Sequence, residues 1–409
     1  MLSVNISKEI RLVVDRIKAT QDFLSYSALT TLVAYFLLNK RSVSQLVRDC
    51  PFSLSVSATC AAARKYKPGR LLRRIRKAVI KKYGPKLNAE RFVFVIDDTK
   101  NPCYGKNRYA FGTWCSSSGM YQGQRVVCLA LVDLKTKRKW PLGYSISNKT
   151  TELTAFDEAY SLVKEALDGG LPPLTVVVDT WYTSVDFIDK IRSLGCHFQG
   201  ELKTNRQVKT NPGPNVPWVN VVQAHSKIKK ELVESDWDSL SIQKKKRRRK
   251  KITQCHLQLK KSSKIYKSVA VYNNRRHRKA FAYYISTDKT RSGARIWRLS
   301  RARWSIECIF RTCKQSLSFG KLSVSGEEPS HLAVEMPLYL YGLLVTEPEK
   351  FESEENCSID KILAELREQS MNNSIKVLIS GAETKSLEKL RGRRSVHNAH
   401  RKPTDAAAA

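Results

Sequence analysis

Phe92-Val93-Phe94-Val95-Ile96-Asp97-Asp98-Thr99 is the stretch on which the fold turns. Five consecutive apolar residues, rich in β-formers and bounded by polar ones, predict a short buried strand that runs straight into two carboxylates. The pattern returns at Leu174-Thr175-Val176-Val177-Val178, again followed by an acid, Asp179. Between and beyond these runs, residues 124–133 and 139–147 read as strands joined by the polar turn Lys135-Thr136-Lys137-Arg138. Residues 151–167 read as an amphipathic helix closed by Gly169-Gly170, residues 184–194 as a second helix, and residues 198–202 as a short strand. The order strand, strand, strand, helix, strand, helix, strand predicts a mixed α/β sheet over residues 89–203.

Outward from this core the pattern changes on both sides. Residues 1–88 carry apolar positions at helical spacing, as in Ile10–Ile17 and Leu29–Leu38. Residues 204–290 alternate like strands at 227–233, 255–259, 266–272 and 281–287, which predicts a β-rich insertion. The region 291–347 returns to helix, through 295–317 and 331–344, and 348–409 reads as short helices followed by a basic tail from Arg391.

Charge narrows the partners. Lys and Arg number 73 and Asp and Glu 37, a net charge of +36 over 409 residues. A chain this basic attracts polyanions, and nucleic acid comes first among them. With no apolar run of about 18 residues, no membrane-crossing helix is expected. The ten cysteines include no C-x-x-C pair, which predicts reduced thiols and a cytoplasmic setting, not a disulfide frame or a zinc site. Two basic stretches stand out. Residues 64–82 hold ten cations and no acid, among them Arg70, Arg73, Arg74 and Lys77. Residues 244–251 are eight consecutive cations, which predicts an exposed loop. Either is a solvated surface at its plainest; without any acid to pair, both suit phosphate contact.

The ordinary role of one Asp after a strand is a turn or a helix cap. Two of them, at the ends of strands in one α/β sheet, stand where polar groups gather while the strands stay buried. A third acid joins them from 295–317. There Leu299, Ile306, Phe310, Cys313 and Leu317 form an apolar stripe. Beside it, Arg303, Glu307, Arg311 and Lys314 fall within a sector about 80° wide at about 100° per residue. Glu307 in that row either pairs with its neighbouring arginines on a solvated face or reaches the end of the sheet. Three carboxylates meeting there suit hard divalent cations such as Mg²⁺ or Mn²⁺.

Asp, Asp and Glu on this order of elements resemble the DDE transposases, which have an RNase H-like fold. The segment Arg303-Trp304-Ser305-Ile306-Glu307 with Lys314 resembles the signature Tyr-x2-Arg-x3-Glu-x6-Lys of one group of bacterial insertion sequences. Arg303, Glu307 and Lys314 match it in type and spacing, and Ser300 stands where that group has Tyr. The β-rich insertion before the Glu is also like that group, and the resemblance spans roughly residues 90–345.

The resemblance implies an RNase H-like mixed sheet with a β-rich insertion, flanked by helical N- and C-terminal regions. It implies a cut-and-paste transposase that acts on double-stranded DNA, at element ends and at target, as a homodimer near a bacterial nucleoid. It further implies two Mg²⁺ or Mn²⁺ ions held by Asp179, Glu307 and an acid of the first strand. Asp97 fits the acid–spacer–Thr pattern with Thr99; Asp98, directly before Thr99, is the alternative. Arg303, Arg311 and Lys314 are then expected on phosphates, with Lys203 and Arg206 as further contacts; Tyr283 and Tyr284 are either ordinary strand aromatics or, for at most one of them, a support under an unpaired base. Trp181 and Tyr182, next to Asp179, either stack on a base or pack, and packing is the expectation. A nuclease that cuts without rejoining, and a DNA-binding protein that keeps the fold without the activity, are the alternatives.

Overall fold

A computed structural model describes residues 8–50, 53–103, 108–116, 119–210, 216–231, 238–240, 250–273, 279–347, 359–365 and 367–368. The chain opens with five helices: α1 (Lys8–Lys18), α2 (Tyr26–Leu37), α3 (Val43–Asp49), α4 (Val56–Ala63) and α5 (Arg70–Tyr83). Serines cap α2, α3 and α4, each side chain accepting a backbone N–H of the first turn. The central region follows as β1 (Phe92–Pro102), β2 (Gly112–Ser116), β3 (Gly119–Asp133), β4 (Lys139–Ser147), α6 (Ala155–Asp168), β5 (Thr175–Val178), α7 (Val185–Ser193) and β6 (His197–Glu201). Thr154 and Asp157 form a reciprocal capping box at the start of α6.

Two expectations need correction here. The first strand does not end at the acids. It continues to Pro102 because Asp97 to Pro102 pair antiparallel with Cys128 to Gly123 of β3, while its parallel pairing with β5 covers only Val93 to Val95. β2, a short partner of the outer half of β3, was not expected at all.

The region after β6 holds β7 (Gln207–Lys209), β8 (Val219–Asn220), α8 (Val221–Glu231), β9 (Asp238–Leu240), β10 (Lys250–Leu259), β11 (Ile265–Tyr272) and β12 (Ala282–Ser286). The strand expected at 227–233 is a helix over its described part. Val221, Ala224 and His225 are buried at helical spacing, and Asn220 and Gln223 exchange backbone bonds at its start. Of the basic run 244–251, residues 244–249 lie outside the described residues, and Lys250 and Lys251 belong to β10 instead of a loop.

These strands do not form a separate layer. β12 pairs antiparallel with β6, and the order β2-β3-β1-β5-β6-β12-β11-β10-β7-β8 makes one sheet, with β4 on β3 and β9 on β10. The chain then forms α9 (Gly293–Ser300), a 3₁₀ turn at Arg301–Arg303, α10 (Trp304–Ser316) and α11 (Glu327–Thr346). The single helix expected over 295–317 is thus broken just before Trp304. Residues 359–365 are helical.

One apolar core joins α1, α2 and α5 to β1, β3, β5, α6, α7, α10 and α11, so the boundary expected at residue 88 separates no cores. Among the described residues, no helix is long and apolar enough to cross a membrane.

Candidate active site

β1 and β5 are adjacent and parallel, with Val95 opposite Val177. Two residues further along the chain stand Asp97, within β1, and Asp179, just past the end of β5, so the pairing brings both acids to one level. Alternation then divides the two acids of β1 between its faces. Asp97 faces Arg303, whose Nη1 lies 3.3 Å from its Oδ2. The same nitrogen donates to Glu307 Oε1 at 2.5 Å, one helical turn on. Asp98 turns to the other face, where its charge feels Arg125 and its neighbour is Tyr182. Tyr182 packs there against Phe156 of α6 and Phe187 of α7. Asp97 is therefore the acid of β1 that shares a face with Glu307.

Asp179 is held by the chain that follows it. Its Oδ1 accepts the backbone N–H of Trp181 at 2.9 Å and of Tyr182 at 3.2 Å. Thr183 Oγ1 donates to the Asp179 carbonyl at 2.9 Å. The turn leaves the Trp181 ring 55% exposed, which corrects the expectation that it packs.

The acids are crowded and shielded from water. Burial pushes the Asp97 carboxyl up to about 7; the charge of Asp179 and then that of Asp98 add to this, and Arg303 opposes it. Asp98 is raised for the same first reason. A fourth carboxylate, Glu201, stands beside them at the end of β6. Burial raises it most; Arg303 pulls it down, and Asp179 pushes it up. The sequence held its signal, an acid closing the short strand after Phe198, but the strand's place next to β5 comes only from the pairing of Val178 with Gly200.

The expected phosphate holders have differing surroundings. Lys314 donates to Thr99 Oγ1 at 2.7 Å and to the Lys100 carbonyl at 2.5 Å, so it ties α10 to β1 beyond the acids. Arg311 is exposed and lies over the Trp304 ring, 5.3 Å from its centroid. Lys203 is exposed with its Nζ 5.9 Å from the Trp181 centroid. Arg206 is half-buried at the entry to the added strands. Tyr283 and Tyr284 do point to opposite faces, one into the main core and one into a smaller cluster with Ile296. Both are buried, at 2% and 7% exposure, so neither offers a ring face to a base. On α5, Arg70, Arg73 and Lys77 are exposed and Arg74 half-buried, whereas Arg76 is buried and pairs with Glu165 at 2.5 Å.

Among the described residues, no three acid, histidine or cysteine side chains converge at metal-ligand distance in this arrangement, and Arg303 bonds to both Asp97 and Glu307. The donor set nonetheless fits hard divalent cations. It is all oxygen, and its mutual repulsion in a buried site is what added positive charge relieves.

The transposase DDE domain family matches residues 89–341. Among solved structures, the chain is similar to a piggyBac transposase synaptic complex with hairpin DNA, at 13% identity and a TM-score of 0.42, over 86% of this chain and 62% of that one. It is similar to Ciona intestinalis endonuclease V in complex with a 24mer DNA containing an inosine, at 10% identity and a TM-score of 0.29, over 54% and 87%. It is also similar to the Drosophila P element transposase strand transfer complex, at 13% identity and 0.22, over 50% and 42%. The chain thus spans 62% of the length of the piggyBac chain. No curated protein matches it.

Proposed function

This chain belongs to the transposase DDE domain family, and on that premise we propose that it cuts double-stranded DNA at the ends of a mobile element and joins those ends to a target. The observation that carries the reading is the gathering of Asp97, Asp179 and Glu307 around one arginine over the neighbouring strands β1 and β5. Asp97, Asp179 and Glu307 are the residues that would hold two divalent cations, Mg²⁺ or Mn²⁺. Bound there, such ions supply activation of the attacking water or 3′-hydroxyl and stabilisation of the leaving oxygen.

The chain's own groups do the positioning. The backbone N–H groups of Trp181 and Tyr182 fix the Asp179 carboxylate. Lys314 fixes α10, and with it Glu307, along β1. The exposed cations Arg311 and Lys203, each over an indole ring, are candidates to receive backbone phosphates. An element has two ends, so cutting both in one assembly calls for a pair of copies.

The test is cleavage of end-containing DNA with Mg²⁺ or Mn²⁺. Asp179→Asn and Glu307→Gln each abolish cleavage while DNA binding persists. Cleavage at the wild-type rate by either variant rejects the assignment. Strand joining assayed in the same reactions separates transposition from simple nuclease action.

A further inference from the structure

The acids of this site form a row. Val95 pairs with Val177, and Val178 with Gly200. Asp97 on β1, Asp179 just past the end of β5 and Glu201 at the end of β6 therefore stand at one level of three neighbouring parallel strands. Residues at one level of neighbouring strands share a face. Tyr284, paired with Glu201 on β12, continues the row. Arg303 lies over this face and interacts with Glu307, Asp97 and Asp179, and Glu201 feels its charge in turn.

The members of the row are not equally engaged. Asp97 and Glu307 share the Arg303 guanidinium, and Asp179 accepts two backbone N–H groups. Glu201 is half-buried, and among the described residues none donates a hydrogen bond to it or pairs with it within ion-pair distance. A half-buried carboxylate that no donor of the chain engages is open to an incoming cation, whose charge offsets the burial that disfavours its ionised form.

Arg303 meanwhile engages carboxylate oxygens that a divalent cation requires. A guanidinium stays charged at every working pH, so it cannot yield by losing its proton. It must move, and it needs an anion where it arrives. We infer that Glu201 is a positioning residue that receives the Arg303 guanidinium when a divalent cation enters between Asp97 and Glu307. Arg303 then holds the site together in the metal-free state and clears it in the loaded state, with the row of acids as its track. This inference rests on the metal-binding reading of Asp97, Asp179 and Glu307.

The test is a Mn²⁺ titration of the full chain without DNA, followed by electron paramagnetic resonance. Asp97→Asn, Glu201→Gln, Arg303→Met and the Glu201→Gln/Arg303→Met pair are compared with wild type. Glu201→Gln is expected to weaken Mn²⁺ binding about tenfold, because Arg303 keeps its place. In the Arg303→Met background the same change is expected to have no effect, because nothing remains to be moved. An equal loss in both backgrounds makes Glu201 a ligand or a distant charge and overturns the inference. So does wild-type affinity in the single variant, provided Asp97→Asn has lost binding. If Asp97→Asn binds Mn²⁺ as wild type does, or if wild type binds none, the metal-site reading falls and takes the inference with it.

Discussion

Glu335 accepts the backbone N–H of Leu71 at 2.8 Å, so an acid of α11 caps a helix more than 260 residues earlier in the chain. The N-cap position of α5 is Gly69, which has no side chain to do this. The same carboxylate accepts from Leu72 N at 3.1 Å, Gly69 N at 2.7 Å and Tyr66 Oη at 2.8 Å. A negative charge at the start of this helix also suits its macrodipole. The contact anchors α5, the most basic of the described helices, to the helix that follows α10, and so ties the N-terminal helices to the region that carries the acids.

Glu335→Gln tests that anchor. Burial pushes the Glu335 carboxyl up, while its donors pull it back toward the ionised form. Both oxygens accept, so an amide turns its NH₂ toward either the backbone N–H groups of Leu71 and Leu72 or that of Gly69, none of which can accept. The expected loss is about 2–4 kcal/mol, because a fully buried set of donors is left short of an acceptor. The midpoint of denaturant unfolding at neutral pH measures it. Wild-type stability in the Gln variant means the carboxyl is protonated in the fold and the cap is not ionic.

Arg73 and Lys77 are exposed on α5, while Arg76 between them is buried against Glu165 and the Leu142 carbonyl. The two kinds of cation should separate in a salt titration of DNA binding. Arg73→Ala with Lys77→Ala is expected to flatten the slope of log K against log salt by up to about 1.8, at about 0.9 for each phosphate no longer neutralised. Arg76→Ala is expected to leave the slope alone and to lower stability by about 1–3 kcal/mol, because it deletes a buried bond to a carbonyl. A slope that responds only to Arg76 reverses the assignment.

That contrast marks what the sequence could and could not say. All ten cations of 64–82 look alike in a charge count; only the apolar period of α5, with Leu72, Ile75 and Val79 inside, puts Arg76 on the buried side. β1 was legible as far as Ile96 because its residues are apolar. Its second half, Asp97 to Pro102, is held by backbone pairing to β3, which leaves no hydrophobic trace. Asp97, Asp179 and Glu307 were legible because apolar strands and an apolar helical stripe point at them. Glu201 was not, since its place depends on which strand lies next to β5. The strand expected at 227–233 failed for a different reason. Ile228, Leu232 and Val233 are the apolar residues of that window, too few to fix a period, and the capping pair Asn220 and Gln223 upstream was the deciding signal.

Trp181 makes a prediction of its own. Its backbone N–H orients Asp179 while its ring stays exposed beneath Lys203. Trp181→Ala keeps the backbone bond and removes the ring. Stacking of a base on an aromatic ring is worth about 1–3 kcal/mol, so DNA affinity near the cut site should fall by roughly tenfold. Metal binding should be unchanged, because the Asp179 carboxylate keeps both donors. Equal affinity for end-containing DNA in the two proteins leaves the ring a bystander.

His225 sets the last prediction, in which pH reports on the strands beyond β6. Its ring is fully buried beneath Tyr283, with Nδ1 2.9 Å from Thr253 Oγ1 and Nε2 2.9 Å from Ser268 Oγ. Burial lowers its pKa from 6.5 to about 3. Between those values the unfolded chain takes up a proton that the folded chain refuses. Stability from this group is therefore complete above pH 6.5 and declines as pH falls. At pH 5 the decline is about 2 kcal/mol, from 1.36 kcal/mol per pH unit below 6.5. His331, lowered to about 4 by burial, adds to it. Asp97 acts the other way. Its folded pKa is raised to about 7, so its contribution is largest at low pH and is lost as pH rises through that value. The raw pH profile mixes these opposed slopes, and the informative quantity is the difference between His225→Asn and wild type. Asn does not titrate, so the variant's deficit in unfolding free energy at pH 7.5 should shrink by about 2 kcal/mol at pH 5. A deficit that is constant across that range means His225 keeps an ordinary pKa, and that water reaches it inside the sheet.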